Sequence, residues 1–220
     1  MLRIVVLDSG FGGELFADKL KENLQVMEII RVIDWRNADK YMHGKREARH
    51  AAEEVLRPYI GKVDLIIIAN FLLSITSLKY FRRKYKNQKF VGLSLVVPST
   101  FINRDTIILT TSAVHRTINY HNYVARLHRH TLTVALDDWP EKIDDGTLTR
   151  EEIEAVMAEI IVTKKFFPKE IILACSQFND IKPTLLEIFN HNTKIHDSFA
   201  DLFHDTVKTL RLRGGIYKQK

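Results

Sequence analysis

Short runs of aliphatic and β-branched residues return along the chain with longer amphipathic stretches between them, and this alternation restricts the fold more than any other feature. The runs are RIVVL (3–7), EIIRVI (28–33), DLIIIA (64–69), KFVGLSL (89–95), TIILT (106–110), TLTVAL (131–136) and EIILA (170–174). Several are apolar throughout instead of alternating with polar residues, which suits parallel strands covered on both faces. The stretches between them read as helices. In 151–165, Ile153, Val156, Met157, Ile160 and Ile161 fall on one stripe, behind Thr149 as N-cap and acids in the first turn. Residues 46–57 and 198–210 behave alike. Strands alternating with helices predict an α/β chain with mainly parallel sheets.

Two phrases repeat. IIIANFLLS (66–74) and IILACSQFN (171–179) are both apolar runs opening into Ala and a small polar residue, and the second places the only cysteine, Cys175, where the first has Asn70. IVVLDSG (4–10) and IILTTSA (107–113) form a second pair, which sets Asp8 against Thr111. The expectation is two similar units: residues 1–95 with about 197–220, carrying the Asp8 and Asn70 loops, and residues 96–196, carrying the Thr111 and Cys175 loops. LVVPST (95–100), interrupted by Pro98, is the expected crossover, and the helix after Ser198 is expected to return to the first unit. In open α/β sheets ligands bind beyond the carboxyl ends of the strands, so the four loops are expected to line a shared cleft.

Composition narrows the chemistry. One cysteine in 220 residues excludes an internal disulfide and a multi-thiolate metal site, which favours a reducing cytoplasm. No apolar run approaches the ~18 residues of a membrane span, and MLRIVVLDSG leads into no cleavable signal. The net charge of +6 permits contact with anions. It is spread along the chain apart from KYFRRKYKNQK (79–89), whose cations read as a solvated helix face with Tyr80, Phe81 and Tyr85 turned inward. The alternative use of that helix is nucleic-acid contact.

The loop LDSGFGG (7–13) leaves a strand with an acid, a hydroxyl and glycines that let backbone approach a ligand, although by itself it reads as a tight turn capped by Asp8. It lacks the Gly-Lys-Ser/Thr of a phosphate loop and the glycine spacing of a dinucleotide site. A lone cysteine after a buried strand is usually an inert small hydrophobe; as a nucleophile or base it needs help toward the thiolate, such as a helix N-terminus near Asp180. His128 and His130 point to different helix faces, no paired histidines flank a glutamate, and no Gly-x-Ser-x-Gly elbow occurs, so metal and serine hydrolase chemistry are unsupported.

Taken in order, these segments resemble the glutamate racemase family of the aspartate/glutamate racemase superfamily. DSGFGG (8–13) is similar to that family's opening Asp-Ser-Gly-x-Gly-Gly. DWRNADKYMHGK (34–45) stands where the family has Asp-Asn-Ala leading to Pro-Tyr-Gly, with Gly44 kept and Met42 and His43 beside it. TTSAVHRTINY (110–120) keeps the family's Thr-x-x-Thr-x-x-Ser-x-x-Tyr spacing as Thr111, Val114, Thr117 and Tyr120. HDSFADL (196–202) resembles its late Ile-Asp-Ser element, and IILACSQF (171–178) its Leu-Gly-Cys-Thr-His-Tyr motif.

The resemblance implies two pseudo-symmetric Rossmann-like (flavodoxin-like) domains and a cytoplasmic isomerase that inverts glutamate at Cα with neither pyridoxal phosphate nor metal, yielding a D-amino acid as a peptidoglycan precursor. In that family two cysteines work on opposite faces of Cα. Here Asn70 stands for the first, followed by Phe71 and Leu72 instead of Asn-Thr, and Gln177 stands for the histidine beside the second. Carried over residue by residue, the catalytic set is Cys175, Asp8 and Asn70. The substrate-binding set is Ser9, His43, Gly44, Phe71, Leu72, Thr111, Thr117, Ser176 and Gln177. The implied ligand is a small amino acid or dicarboxylate, no cofactor is required, and a homodimer is compatible with the family. Some glutamate racemases act on DNA gyrase, a contact for which the 79–89 helix is the candidate. Asparagine cannot shuttle a proton, so two further readings stand beside the racemase: a single-cysteine decarboxylase resembling the arylmalonate decarboxylases, and a catalytically degenerate homologue that binds a ligand or partner.

Overall fold

The computed structural model describes residues 1–24, 27–94, 105–127, 130–190 and 192–211. It divides into two units, Met1–Ser94 with Phe199–Lys220, and Leu95–Ser198. The crossover assigned to 95–100 lies outside the described residues, as does His128.

The first unit opens with β1 (Leu2–Asp8), α1 (Phe11–Asn23) and β2 (Met27–Ile33). It continues through α2 (Ala38–His43), α3 (Lys45–Leu56), β3 (Leu65–Ile68), α4 (Phe71–Lys84) and β4 (Phe90–Gly92). Its four strands pair in parallel in the order β2-β1-β3-β4. β1 from Ile4 onward and the whole of β3 are buried residue after residue, as unbroken apolar runs require in a sheet covered on both sides. One face packs Val5, Leu7, Ile66 and Ile68 on the alanine stripe of α3 (Ala48, Ala51, Ala52) and on Leu73 and Phe81 of α4. Alanines there let the helix lie close to the sheet. Phe16 of α1 meets Phe199 at a centroid distance of 5.1 Å.

The second unit repeats the plan. Its first half is β5 (Thr106–Thr110), α5 (Ser112–His115), α6 (Ile118–Val124), β6 (Thr131–Ala135) and α7 (Trp139–Asp144). Its second half is α8 (Arg150–Lys164), β7 (Glu170–Leu173), α9 (Lys182–Ile188) and β8 (Lys194–Asp197); α10 (Ser198–Leu210) follows and lies almost wholly in the first unit. The strand order is β6-β5-β7-β8, again all parallel. Ile153, Met157 and Ile160 of α8 bury against Ile107, Leu109, Ile171 and Leu173. Thr149 closes a complete capping box with Glu152 at the start of that helix.

The structure therefore has two four-stranded parallel sheets in an α/β chain, as the alternation of runs predicts. Two elements depart from the sequence reading. β8 adds a strand over KIHD, which is too polar to read as a core strand because it forms the edge of its sheet. Of the run 89–94, only Phe90–Gly92 forms strand β4, and the Leu93 N–H that follows is shared between Ile68 O at 3.3 Å and Ser74 Oγ at 3.1 Å.

Candidate functional site

The repeat is legible in backbone register. Leu7 of β1 stands opposite Ile68 of β3, and Leu109 of β5 opposite Leu173 of β7. One step on, Ala69 N–H donates to Leu7 O at 2.7 Å, and Ala174 N–H donates to Leu109 O at 2.8 Å. Asn70 and Cys175 therefore occupy matching positions. Likewise Asp34 N–H donates to Asp8 O, and Leu136 N–H to Thr110 O, each at 2.8 Å. The counterpart of Asp8 is thus Thr110, and Thr111 matches Ser9: the sequence pairing of Asp8 with Thr111 is one residue out of step. Thr110, which sequence reasoning passed over, is fully buried, with its hydroxyl 3.5 Å from Ala174 O.

In the first unit, Asp8 ends β1 wholly buried, and its Oδ1 accepts from the Ser9 N–H at 2.7 Å. Gly13 packs on it so closely that a Cβ there would fall 2.4 Å from Asp8 Cβ. Beside this loop Asp34 accepts from the Tyr41 hydroxyl at 2.7 Å and from the Asn37 amide at 2.9 and 3.0 Å. Burial first, then the bond to Asp34 and the charges of Asp34 and Asp8, push the Tyr41 phenol far above its ordinary range, so it stays a neutral donor. Asn70 caps α4: its Oδ1 accepts from Leu73 N–H and its Nδ2 donates to Ser9 Oγ, both at 2.8 Å. Phe71 is buried and Leu72 half-buried in the first turn of α4. Gly44 starts α3 at φ 155° and ψ 154°, a conformation open only to glycine, and is exposed. His43 ends α2, and its side chain lies outside the described residues.

In the second unit Cys175 is 7% exposed and counts among the apolar core with Trp139, Ile143 and Phe178. Its sulfur is not sealed in hydrocarbon: Sγ donates to Gln177 Oε1 at 3.1 Å. Ser176 Oγ donates to the same oxygen at 3.0 Å, and Gln177 Nε2 donates to Asp144 Oδ2 over a long 3.4 Å. The residues after Cys175 form a single 3-10 turn (Gln177–Asn179), and α9 begins only at Lys182, so the helix N-terminus expected near Asp180 stands two residues further from the thiol.

Thr111 and Thr117 serve as helix caps. Thr111 Oγ1 accepts from Val114 N–H at 3.4 Å; Thr117 Oγ1 accepts from Tyr120 N–H at 3.1 Å and donates to Val114 O at 2.8 Å. The second cap spends the Thr117 hydroxyl proton within the fold. Tyr120 shares a 2.7 Å hydrogen bond with Thr133, and burial pushes its phenol up to about 12.

The run 79–89 shows where its charges go. Phe81 is fully buried, stacking on Phe90, while Lys84 pairs with Glu53 at 2.6 Å and lies over the rings of Tyr80 and Tyr85. Lys79, Arg82, Arg83, Lys86 and Lys89 are exposed. Among the described residues no group of three or more His, Cys, Asp or Glu is placed to hold a metal ion, and no helix is long and apolar enough to cross a membrane.

Two units, each with a four-stranded parallel sheet and matching loops at the carboxyl ends of its strands, match the fold of solved glutamate racemases. In sequence the chain is similar to a glutamate racemase at low identity. It is 22% identical over 209 residues to the glutamate racemase of Lactococcus lactis subsp. cremoris (strain MG1363), covering 92% of this chain and 77% of the relative. The crystal structure of Escherichia coli glutamate racemase with L-glutamate and the activator UDP-MurNAc-Ala superposes with a TM-score of 0.79 at 20% identity, over 99% of this chain and 85% of that one. Glutamate racemase from Campylobacter jejuni subsp. jejuni gives 0.75 at 19% identity, over 100% and 88%. At these identities the structural likeness is one of fold. No family model matches the chain.

Proposed function

We propose that the protein is a cofactor-independent racemase or epimerase of a small amino acid, of glutamate racemase type, that moves the Cα proton with Cys175 as its one thiol. Asp8, acting through water, serves the other face, beside Asn70 in place of a second thiol. Ser9, Thr111 and Ser176 supply hydroxyls for the carboxylates, Gly44 lets backbone come close, and Phe71 and Leu72 make the edge of the site beside Asn70 apolar. The observation that carries this reading is the matched placement of Asn70 and Cys175 after β3 and β7, with polar side chains beside each. The E. coli enzyme of the same fold holds L-glutamate, which makes a glutamate-like ligand the first to try.

The test is deuterium uptake at Cα, followed by NMR in D₂O across D- and L-amino acids. Wild-type protein is expected to exchange at least one of them. Loss of one acid–base group typically costs 10²–10⁴-fold, so Cys175→Ala is expected to abolish measurable uptake. Uptake that persists in that variant overturns the mechanism.

One observation favours a second reading, a catalytically silent homologue that still binds its ligand. Both ends of the Asn70 carboxamide are engaged within the fold, so this position has become a brace. Calorimetric binding of glutamate without any Cα exchange is the outcome that selects it.

A further inference from the structure

A carboxamide presents an oxygen that accepts and a nitrogen that donates, and either end of Gln177 could face a sulfur. A thiol would give its hydrogen to the oxygen; a thiolate would take one from the nitrogen. The far end of the side chain makes the choice. Asp144, half-buried at the end of α7, offers a carboxylate oxygen that accepts, and Gln177 Nε2 is the atom that meets it at 3.4 Å. The Oε1 atom is thereby left toward the loop, where Cys175 Sγ–H and Ser176 Oγ–H both donate to it at 3.1 and 3.0 Å. Turning the amide over would set its oxygen against a carboxylate and sacrifice two donors at once. Gln177 is 8% exposed, so water is poorly placed to replace those bonds.

We propose that Gln177, oriented by Asp144, is a positioning residue that holds Cys175 as the proton-bearing thiol in the resting protein, so that the thiol acts first as an acid. Resting on the racemase reading above, Asp8 takes the Cα proton through water, the C–H pair stays on carbon as a planar carbanion, and the step is delivery of the sulfur-bound proton to that carbon. The carbanion's electron pair forms the new C–H bond, the S–H pair stays on sulfur as thiolate, and the thiolate recovers its proton from water. A histidine at position 177 could instead take the thiol's proton and leave a base at rest; an amide cannot.

Because the chain has a single cysteine, its S–H stretch is one band, read by Raman or infrared spectroscopy on the whole protein without any substrate. Wild-type protein at neutral pH is expected to show this band, shifted down by hydrogen bonding. Gln177→Leu should shift it up from its wild-type position, and Asp144→Ala, which frees the amide to turn, should broaden it and move it the same way. Absence of the band in wild-type protein overturns the proposal, as does a band that neither variant moves. If one variant fails to fold, the other and the wild-type spectrum still decide. Bands that behave as expected in a protein showing no Cα exchange would leave the clamp standing and remove the racemase reading, so the two failures are distinct.

Discussion

Asn70 Nδ2 donates to Ser9 Oγ at 2.8 Å while Asn70 Oδ1 accepts from the Leu73 N–H at 2.8 Å, so one side chain caps α4 and ties it to the loop that follows β1. A cysteine has no equivalent pair of ends. Asn70 therefore does mechanical work that a thiol at this position would not.

Removal of the cap in Asn70→Ala is expected to cost about 1 kcal/mol, within the 0.5–2 usual for such caps. Asn70→Asp keeps an acceptor for Leu73 N–H and should recover most of that loss. Asn70→Cys should resemble the alanine variant. Urea denaturation of the three variants measures the order, and an aspartate variant as unstable as the alanine one would show that the cap is not the main term.

The Asp8 turn depends on a missing side chain. A Cβ on Gly13 would meet Asp8 Cβ at 2.4 Å and Ile33 Cδ1 at 3.0 Å, and Asp8 is a fully buried strand residue with nowhere to retreat. Gly13→Ala is expected to destabilise by about 1–3 kcal/mol, the usual range for overpacking. Its unfolding midpoint in urea checks this, and an unchanged midpoint would mean that the turn gives way easily.

How far the sequence foretold these features depends on the range of the interaction behind each. β1, β3, β5 and β7 declare themselves because both faces are covered and each has an unbroken apolar run at its centre, whereas edge strand β8 carries Lys194, His196 and Asp197 and loses that signal. The Thr149 capping box is readable because Thr and Glu stand three apart. Asp144 beside Gln177 was not, since the partners are 33 positions apart and neither flank marks the contact. Thr111 and Thr117 illustrate a different failure. Their spacing suits both a substrate clamp and two consecutive helix caps, and only coordinates show the Thr117 proton already committed to Val114 O.

That commitment is testable. Thr117→Val keeps the shape but removes the acceptor for Tyr120 N–H and the donor to Val114 O, and about 1 kcal/mol of stability should go with the cap. Thr117→Ser should restore it. If the valine variant keeps its urea midpoint while ligand binding collapses, the hydroxyl serves the substrate instead of the helix.

Tyr41 sets the alkaline limit. It is 2% exposed and donates to Asp34, and burial, that bond and the neighbouring carboxylates raise its folded-state pKa far above the ordinary phenol value of 10.0. With the folded pKa above the unfolded one, its contribution is complete below pH 10 and declines as pH rises beyond, because the unfolded chain then releases a proton that the folded chain retains. Each tyrosine so held should steepen the loss by about 1.4 kcal/mol per pH unit, and Tyr120, at about 12, adds its share over the first part of that range. Tyr41→Phe should show a shallower alkaline decline, starting from a protein already weaker at neutral pH by about 1–3 kcal/mol because the Asp34 carboxylate has lost a buried donor. Urea midpoints from neutral to alkaline pH for the two proteins measure both effects. Parallel alkaline slopes would mean that the phenol ionises as readily in the fold as out of it.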